Sequence, residues 1–285
     1  MKLLTKTFLR TFAAASLLAV TSWAQAANVL VVLSDTDTLD LKNGKTFSTG
    51  FYLNEAMQPV KLLIDAGHKI TFATPTGRAP TLDKGSVNAM FFGGDAKALQ
   101  IHQALLDQLA ITSATNSPVI SLTRAAQIGY DQFDAVLVPG GHAPMQDLLT
   151  DKNLGKLLTA FHQQQKPTAL VCHGPIALIS TLNNANTFTD AMVKTNKATA
   201  EKSWIYAGYK MTVFSDAEEE ASKAQLNGGA MKFYPEDALK QAGANVNVKD
   251  VWQNNVIEDR ELITGQNPMS AASVGEKLVA KLAKK

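Results

Sequence analysis

The chain has 285 residues, with 27 Lys plus Arg against 25 Asp plus Glu, a formal net charge of +2, and a single cysteine. One cysteine excludes an intrachain disulfide, and so small a charge gives no basic patch from which to argue a nucleic-acid partner. Hydrophobic residues make up 46% of the chain, ample for the core of one large α/β domain.

Residues 1–26 read as a secretory signal peptide. Lys2, Lys6 and Arg10 give a basic start, residues 12–20 an apolar stretch, and Ala24-Gln25-Ala26 a small-residue cleavage site, with the cut expected after Ala26. The apolar run is too short to span a bilayer, so no membrane attachment is expected after cleavage. Removing 26 of the 285 residues leaves 259, with 24 basic against 25 acidic side chains and a net charge of about −1. The expected location is periplasmic or secreted. An exposed, idle thiol is a liability in an oxidising compartment. The lone Cys172 is therefore either buried and inert or kept for reactivity.

Residues 28–33 (Asn-Val-Leu-Val-Val-Leu) form a continuous apolar strand. The spacing of Leu53, Met57, Val60, Leu63 and Ile64 predicts a helix over 51–66, ended by Gly67. Residues 68–73 alternate as a second strand before the turn Pro75-Thr76-Gly77. Residues 76–100 read as loop and 101–110 as a short helix. A strand over 133–138 runs into Pro139-Gly140-Gly141-His142, and a helix over 148–165 leads to an interior strand, 167–171. Cys172-His173-Gly174-Pro175 follows, and Pro175 opens a helical run over 176–182. A strand over 211–214 precedes the acidic helix start Ser215-Asp216-Ala217-Glu218-Glu219-Glu220. A strand pair, 246–251 and 256–263, and a closing helix over 270–282 complete the chain. This alternation predicts a single doubly wound α/β domain over 27–285, with a mostly parallel sheet flanked by helices.

Ligands of such sheets sit at the carboxyl ends of the strands. Cys172 stands there at a strand-to-helix turn with glycine two residues on, the pattern of a nucleophile elbow. Backbone N–H groups at a helix N-terminus are expected to lower its pKa and favour thiolate. Gly140 and Gly141 let backbone N–H groups come close to a ligand, and with the N–H of His173 they form a candidate oxyanion hole. His173 is a candidate general base or imidazolium partner of the thiolate. A carboxylate must orient it, and Glu218, Glu219 and Glu220 are three candidates. Glu55 lies inside the first helix on a face that periodicity leaves open. If it is buried, its pKa rises and it can donate a hydrogen bond to the thiolate. His68, His102, His142 and His162 show no ligand spacing with Asp, Glu or Cys, so no metal site is expected.

These motifs resemble those of the PfpI-like (class I glutamine amidotransferase-like) superfamily, in its branch of glutathione-independent glyoxalases (glyoxalase III) and stress chaperones. The resemblance rests on Thr49-Gly50-Phe51-Tyr52 with Glu55, Asp134-Ala135-Val136-Leu137-Val138-Pro139-Gly140-Gly141-His142 and Val171-Cys172-His173-Gly174-Pro175. Phe214-Ser215-Asp216-Ala217-Glu218-Glu219 and Leu262-Ile263-Thr264-Gly265-Gln266-Asn267-Pro268-Met269-Ser270 complete it, so that it covers residues 29–282. It implies a flavodoxin-like sheet, Cys172 as nucleophile, and His173 and Glu219 as the rest of a triad, with Glu218 one register away. It also implies Glu55 as the buried acid beside the cysteine and Gly141 at the oxyanion hole. The implied activity is conversion of methylglyoxal to lactate on a small-molecule carbonyl substrate, with no cofactor. A deglycase or amidohydrolase and a holdase chaperone are the alternatives within the superfamily, and many relatives are homodimers. One departure is visible. Ala143 stands where the branch often has glycine, and a methyl group at that rim is expected to narrow the pocket or to remove a conformation only glycine reaches.

Overall fold

We describe the protein from a computed structural model over residues 26–284; all of the expected signal peptide except Ala26 lies outside these. Strand β1 (Asn28–Val32) is followed by a small hairpin, β2 (Thr38–Asp40) and β3 (Thr46–Ser48), and by helix α1 (Leu53–Asp65). Next come β4 (Lys69–Thr74), α2 (Ala96–Leu109), β5 (Ile120–Ser121) and α3 (Leu122–Ile128). β6 (Ala135–Val138), α4 (Lys152–Gln163) and β7 (Thr168–Val171) bring the chain to Cys172. Beyond a 3-10 stretch, Gly174–Thr181, lie α5 (Ala185–Thr195), β8 (Lys210–Met211), α6 (Asp216–Ser222) and α7 (Pro235–Ala242). β9 (Asn245–Val246), β10 (Val256–Asp259), β11 (Leu262–Gly265) and α8 (Ala271–Leu282) follow.

The main sheet has the order β10-β11-β7-β6-β1-β4-β5, and every neighbouring pair is parallel except β10–β11. The chain winds from β1 outward through β4 to β5, then returns to the other side of β1 for β6, β7 and β11. That reversal is the switch point at which open α/β sheets bind ligands. Gly140 leaves β6 there, Cys172 leaves β7, and the first turn of α1 closes over both.

Alternate residues of the same strands serve two cores. Leu30, Val32, Val136, Val138 and Leu170 pack with Leu154, Leu157, Leu158 and Phe161 of α4. Val29, Val31, Leu137, Ala169 and Val171 pack with Met57, Val60 and Leu63 of α1 and with Val274 and Leu278 of α8. Covered on both faces, β6, β7 and β11 are buried along their whole length, which is why β6 reads as an unbroken apolar run and even Thr168 and Thr264 of β7 and β11 are buried.

The doubly wound, mostly parallel sheet is the one the sequence predicts, with local corrections. The expected 256–263 strand is two antiparallel strands, β10 and β11. The chain reverses at Arg260, whose φ of 57° is left-handed, with no glycine or proline to announce the turn. The expected 246–251 strand shrinks to β9, which pairs in parallel with β8. The 211–214 strand ends at Met211, because the Thr212 N–H turns to Thr264 Oγ1 (2.9 Å) and the Phe214 N–H to the Cys172 carbonyl (2.9 Å). Helix α2 begins at Ala96, ahead of residue 101, because the Asp95 side chain caps the Lys97 and Ala98 N–H groups. The run after Pro175 winds as a 3-10 helix; residues 174–180 are buried on all sides, so packing sets its winding.

Candidate active site

Cys172 follows the last residue of β7 with φ +61°, a conformation that side chains rarely adopt. Strain of this kind costs about 1–3 kcal/mol and persists only where the surroundings over-determine it. Both peptide groups of Cys172 are clamped: its N–H donates to the Gly265 carbonyl and its carbonyl accepts from the Phe214 N–H, each at 2.9 Å. The result is the sharp strand-to-helix turn expected from the sequence, with the thiol at its apex. Gly140 is required beneath it, since a Cβ there would lie 2.7 Å from Cys172 Cβ and from Glu55 Oε2.

His173 places its ring between two partners. Nδ1 lies 3.2 Å from Cys172 Sγ and Nε2 lies 3.1 Å from Glu219 Oε1, all three residues being buried. Phe214 stacks on the imidazole at 4.6 Å between ring centroids, which fixes its plane. Burial pushes His173 down to about 3 and Glu219 up to about 7. The resting ring is therefore neutral. With its Nε2 proton directed at Glu219, Nδ1 presents a lone pair to the thiol.

Glu55 sits in the first turn of α1 with its side chain wholly buried, and burial pushes it up to about 8. Its Oε2 accepts the Gly140 N–H at 3.0 Å. That bond commits the Gly140 N–H of the expected oxyanion hole to Glu55, while Gly141, at φ +83°, lines the open cavity and sets its N–H between Glu55 and the thiol. The expected depression of the cysteine pKa is corrected. Burial pushes the Cys172 thiol well above its ordinary value, the adjacent Glu55 adds to this, and the Gly141 N–H opposes it. Thiol and carboxyl stand side by side in a space that disfavours charge on both.

The choice between adjacent glutamates is settled by geometry. Glu219 meets His173. Glu218 instead accepts the Ser215 N–H and hydroxyl, the Trp252 N–H and the side-chain amides of Gln266 and Asn267, at 2.7–3.1 Å. It thus completes the capping box of α6 and ties that helix to the Thr264-Gly265-Gln266-Asn267-Pro268 segment, which holds Glu219 in place. Glu220 is exposed. Asn267→Ala should remove the 2.7 Å donor from this buried carboxylate. Urea titration should then show a loss of about 1–3 kcal/mol.

The thiol opens into a cavity of about 810 Å³ whose wall includes Phe47, Tyr52, Met90, Phe91, Phe214 and Trp252. The loop-like 76–100 segment supplies one side, pinned to Phe51 by reciprocal backbone bonds of 2.9 and 3.0 Å. Ala143 corrects a further expectation. It is buried outside the cavity lining, with φ outside the left-handed range, so it neither narrows the pocket nor needs a conformation reserved for glycine. His142, by contrast, does line the cavity, with its ring 4.4 Å from that of His173. No spacing in the sequence announced that meeting.

Fold and site together define a flavodoxin-like α/β protein built around an elbow cysteine. The sequence matches the family described as ThiJ/PfpI family-like over residues 47–231, more than half of the chain, and the chain belongs to that family. It is 25% identical over 251 residues to the Staphylococcus aureus (strain MSSA476) protein named protein/nucleic acid deglycase HchA, covering 87% of this chain and 77% of that one. Among solved structures it is similar to Rapid Encystment Protein 24 kDa of Francisella tularensis (TM-score 0.69, 24% identity), with 90% of this chain and 99% of that one covered. It is also similar to glyoxalase III from Candida albicans (TM-score 0.65, 21% identity), with 89% and 96% covered. At these identities the two structures establish the shared fold.

Proposed function

We propose that the protein is a cofactor-independent cysteine enzyme of small reactive carbonyls, and that its reaction is the glyoxalase III-type conversion of methylglyoxal to lactate. The relay from Glu219 through His173 to Cys172, beside a buried Glu55 at the floor of an open cavity, is the observation that carries this reading. His173 Nδ1 takes the thiol proton as Sγ adds to the aldehyde carbon, and the Gly141 N–H faces the oxygen that gains charge. Protonation of that oxygen gives a hemithioacetal. His173 then carries a proton from the former aldehyde carbon to the adjacent carbonyl carbon through an enediol. The first carbon is thereby oxidised and the second reduced, with no external oxidant. Water adds to the resulting thioester, the C–S bond breaks, and lactate leaves with the thiol restored.

The test is lactate formation from methylglyoxal by purified protein without glutathione. Turnover supports the reading, and its absence from folded, reduced protein contradicts it. A second reading, removal of the carbonyl from a glycated amine, is favoured by the cavity of about 810 Å³, which has room for far more than methylglyoxal. It also agrees with the name of the staphylococcal relatives. Release of free amine from a preformed methylglyoxal adduct measures it.

The pH profile should be bell-shaped. Below about 7 Glu219 is protonated and no longer stabilises an imidazolium at His173; above about 8 Glu55 loses the proton it offers the site. Glu219→Gln should abolish the acid limb of kcat/KM. The reading also takes the chain as exported, so intact mass of protein from an extracytoplasmic fraction should correspond to a chain beginning at Ala27.

A further inference from the structure

His142 is a buried titratable group that the proposed chemistry leaves idle. It is 4% exposed, and neither ring nitrogen has a hydrogen-bond partner among the described residues. An unpaired buried polar atom costs about 1–3 kcal/mol and calls for an explanation. One ring nitrogen of His142, one of His173 and a carboxylate oxygen of Glu219 all lie within 4.8 Å of one another. We propose that these three residues form a binding site for a single divalent cation of zinc's class, and that its occupancy switches the Cys172 chemistry off.

Two imidazoles and one carboxylate are a donor set that zinc takes with a fourth position left to water. Zinc–ligand bonds of about 2.0–2.2 Å in a tetrahedron put donor atoms roughly 3.3 Å apart. His173 Nε2 and Glu219 Oε1, at 3.1 Å, already stand at that separation, so the His142 ring has to move by only about an ångström or two. Cys172 is on the opposite, Nδ1, edge of the His173 ring and is not a ligand. Entry is open, because His142 and His173 both line the cavity. The switch follows from the tautomer. A cation on Nε2 leaves the ring proton on Nδ1, which then has no lone pair with which to take the thiol proton. Binding stands on the three ligands alone, whereas the inhibition rests on the cysteine chemistry proposed above.

The experiment titrates Co²⁺ into the intact metal-free protein and competes it with Zn²⁺. One equivalent is expected, with visible absorption of a tetrahedral nitrogen–oxygen site, no sulfur-to-cobalt charge transfer, and the same affinity in Cys172→Ser. His142→Asn and Glu219→Gln should each weaken binding by about 10- to 100-fold or more, with unchanged melting curves showing that they are folded. Zn²⁺ should suppress methylglyoxal turnover in proportion to occupancy, and chelation should restore it. The absence of a bound cation, a thiolate charge-transfer band, undiminished binding by His142→Asn, or full turnover in the occupied protein would each overturn the proposal. Metal binding without any turnover from the metal-free protein would instead count against the carbonyl-enzyme reading and leave the site standing.

Discussion

Cys172→Ser should fold as the parent does and lose about 10³-fold or more of its kcat on methylglyoxal. The hydroxyl fits where the thiol sits, and the backbone clamps at Gly265 and Phe214 use no side-chain atom. Melting temperature should therefore stay close to that of the parent. The chemistry does not survive, because an alkoxide in this buried, charge-averse space is far less accessible than a thiolate. His173 Nδ1 at 3.2 Å can share a serine proton but cannot make the oxygen a comparable nucleophile. The same variant separates the enzyme from a holdase, whose protection of an aggregating client needs no thiol. Lactate formation that persists in Cys172→Ser would remove the nucleophile from the account.

Glu55→Gln should lower activity and raise stability, and the two effects come from one cause. Burial pushes the Glu55 carboxyl from an ordinary value of 4.5 up to about 8. A carboxyl whose pKa is raised by folding carries no penalty below about 4.5. It carries a growing penalty as pH rises through about 8, because ionisation then favours the unfolded chain. The glutamine variant has no such titration, so its advantage in denaturant titrations should open across that window and reach on the order of 4 kcal/mol above it. The glutamine oxygen still accepts the Gly140 N–H, which limits any structural loss. Turnover should fall by about 10-fold or more, since an amide N–H is a weaker hydrogen-bond donor to the thiolate than the protonated carboxyl of Glu55. A stability difference that does not vary with pH would show that Glu55 is not the buried acid described here.

The sequence carried the strand-elbow-helix core of the site in plain view. Residues 133–138 and 167–171 are short, mostly apolar runs, the first leading into Pro139-Gly140-Gly141-His142 and the second into Cys172-His173-Gly174-Pro175. Geometry had to supply the rest. Glu218 and Glu219 are adjacent and chemically identical in sequence; only the helical turn of α6 sends one to His173 and the other to Gln266 and Asn267. Gly140 and Gly141 likewise look interchangeable, until α1 delivers Glu55 to the first of their N–H groups. The thiol was expected to be acidic because it precedes a helix start, but burial beside Glu55 outweighs that effect. The hairpin at Arg260 was hidden because its left-handed turn uses neither glycine nor asparagine. His142 met His173 only through the pairing of β6 with β7.

The central claim is that Cys172 forms the covalent intermediate, and rapid chemical quench with intact-mass and peptide analysis tests it most directly. Protein mixed with methylglyoxal should gain the mass of one methylglyoxal on Cys172, and that species should form and decay at the rate at which lactate appears. Lactate produced at full rate with Cys172 unmodified throughout, or with adducts confined to lysine and arginine side chains, would contradict the account.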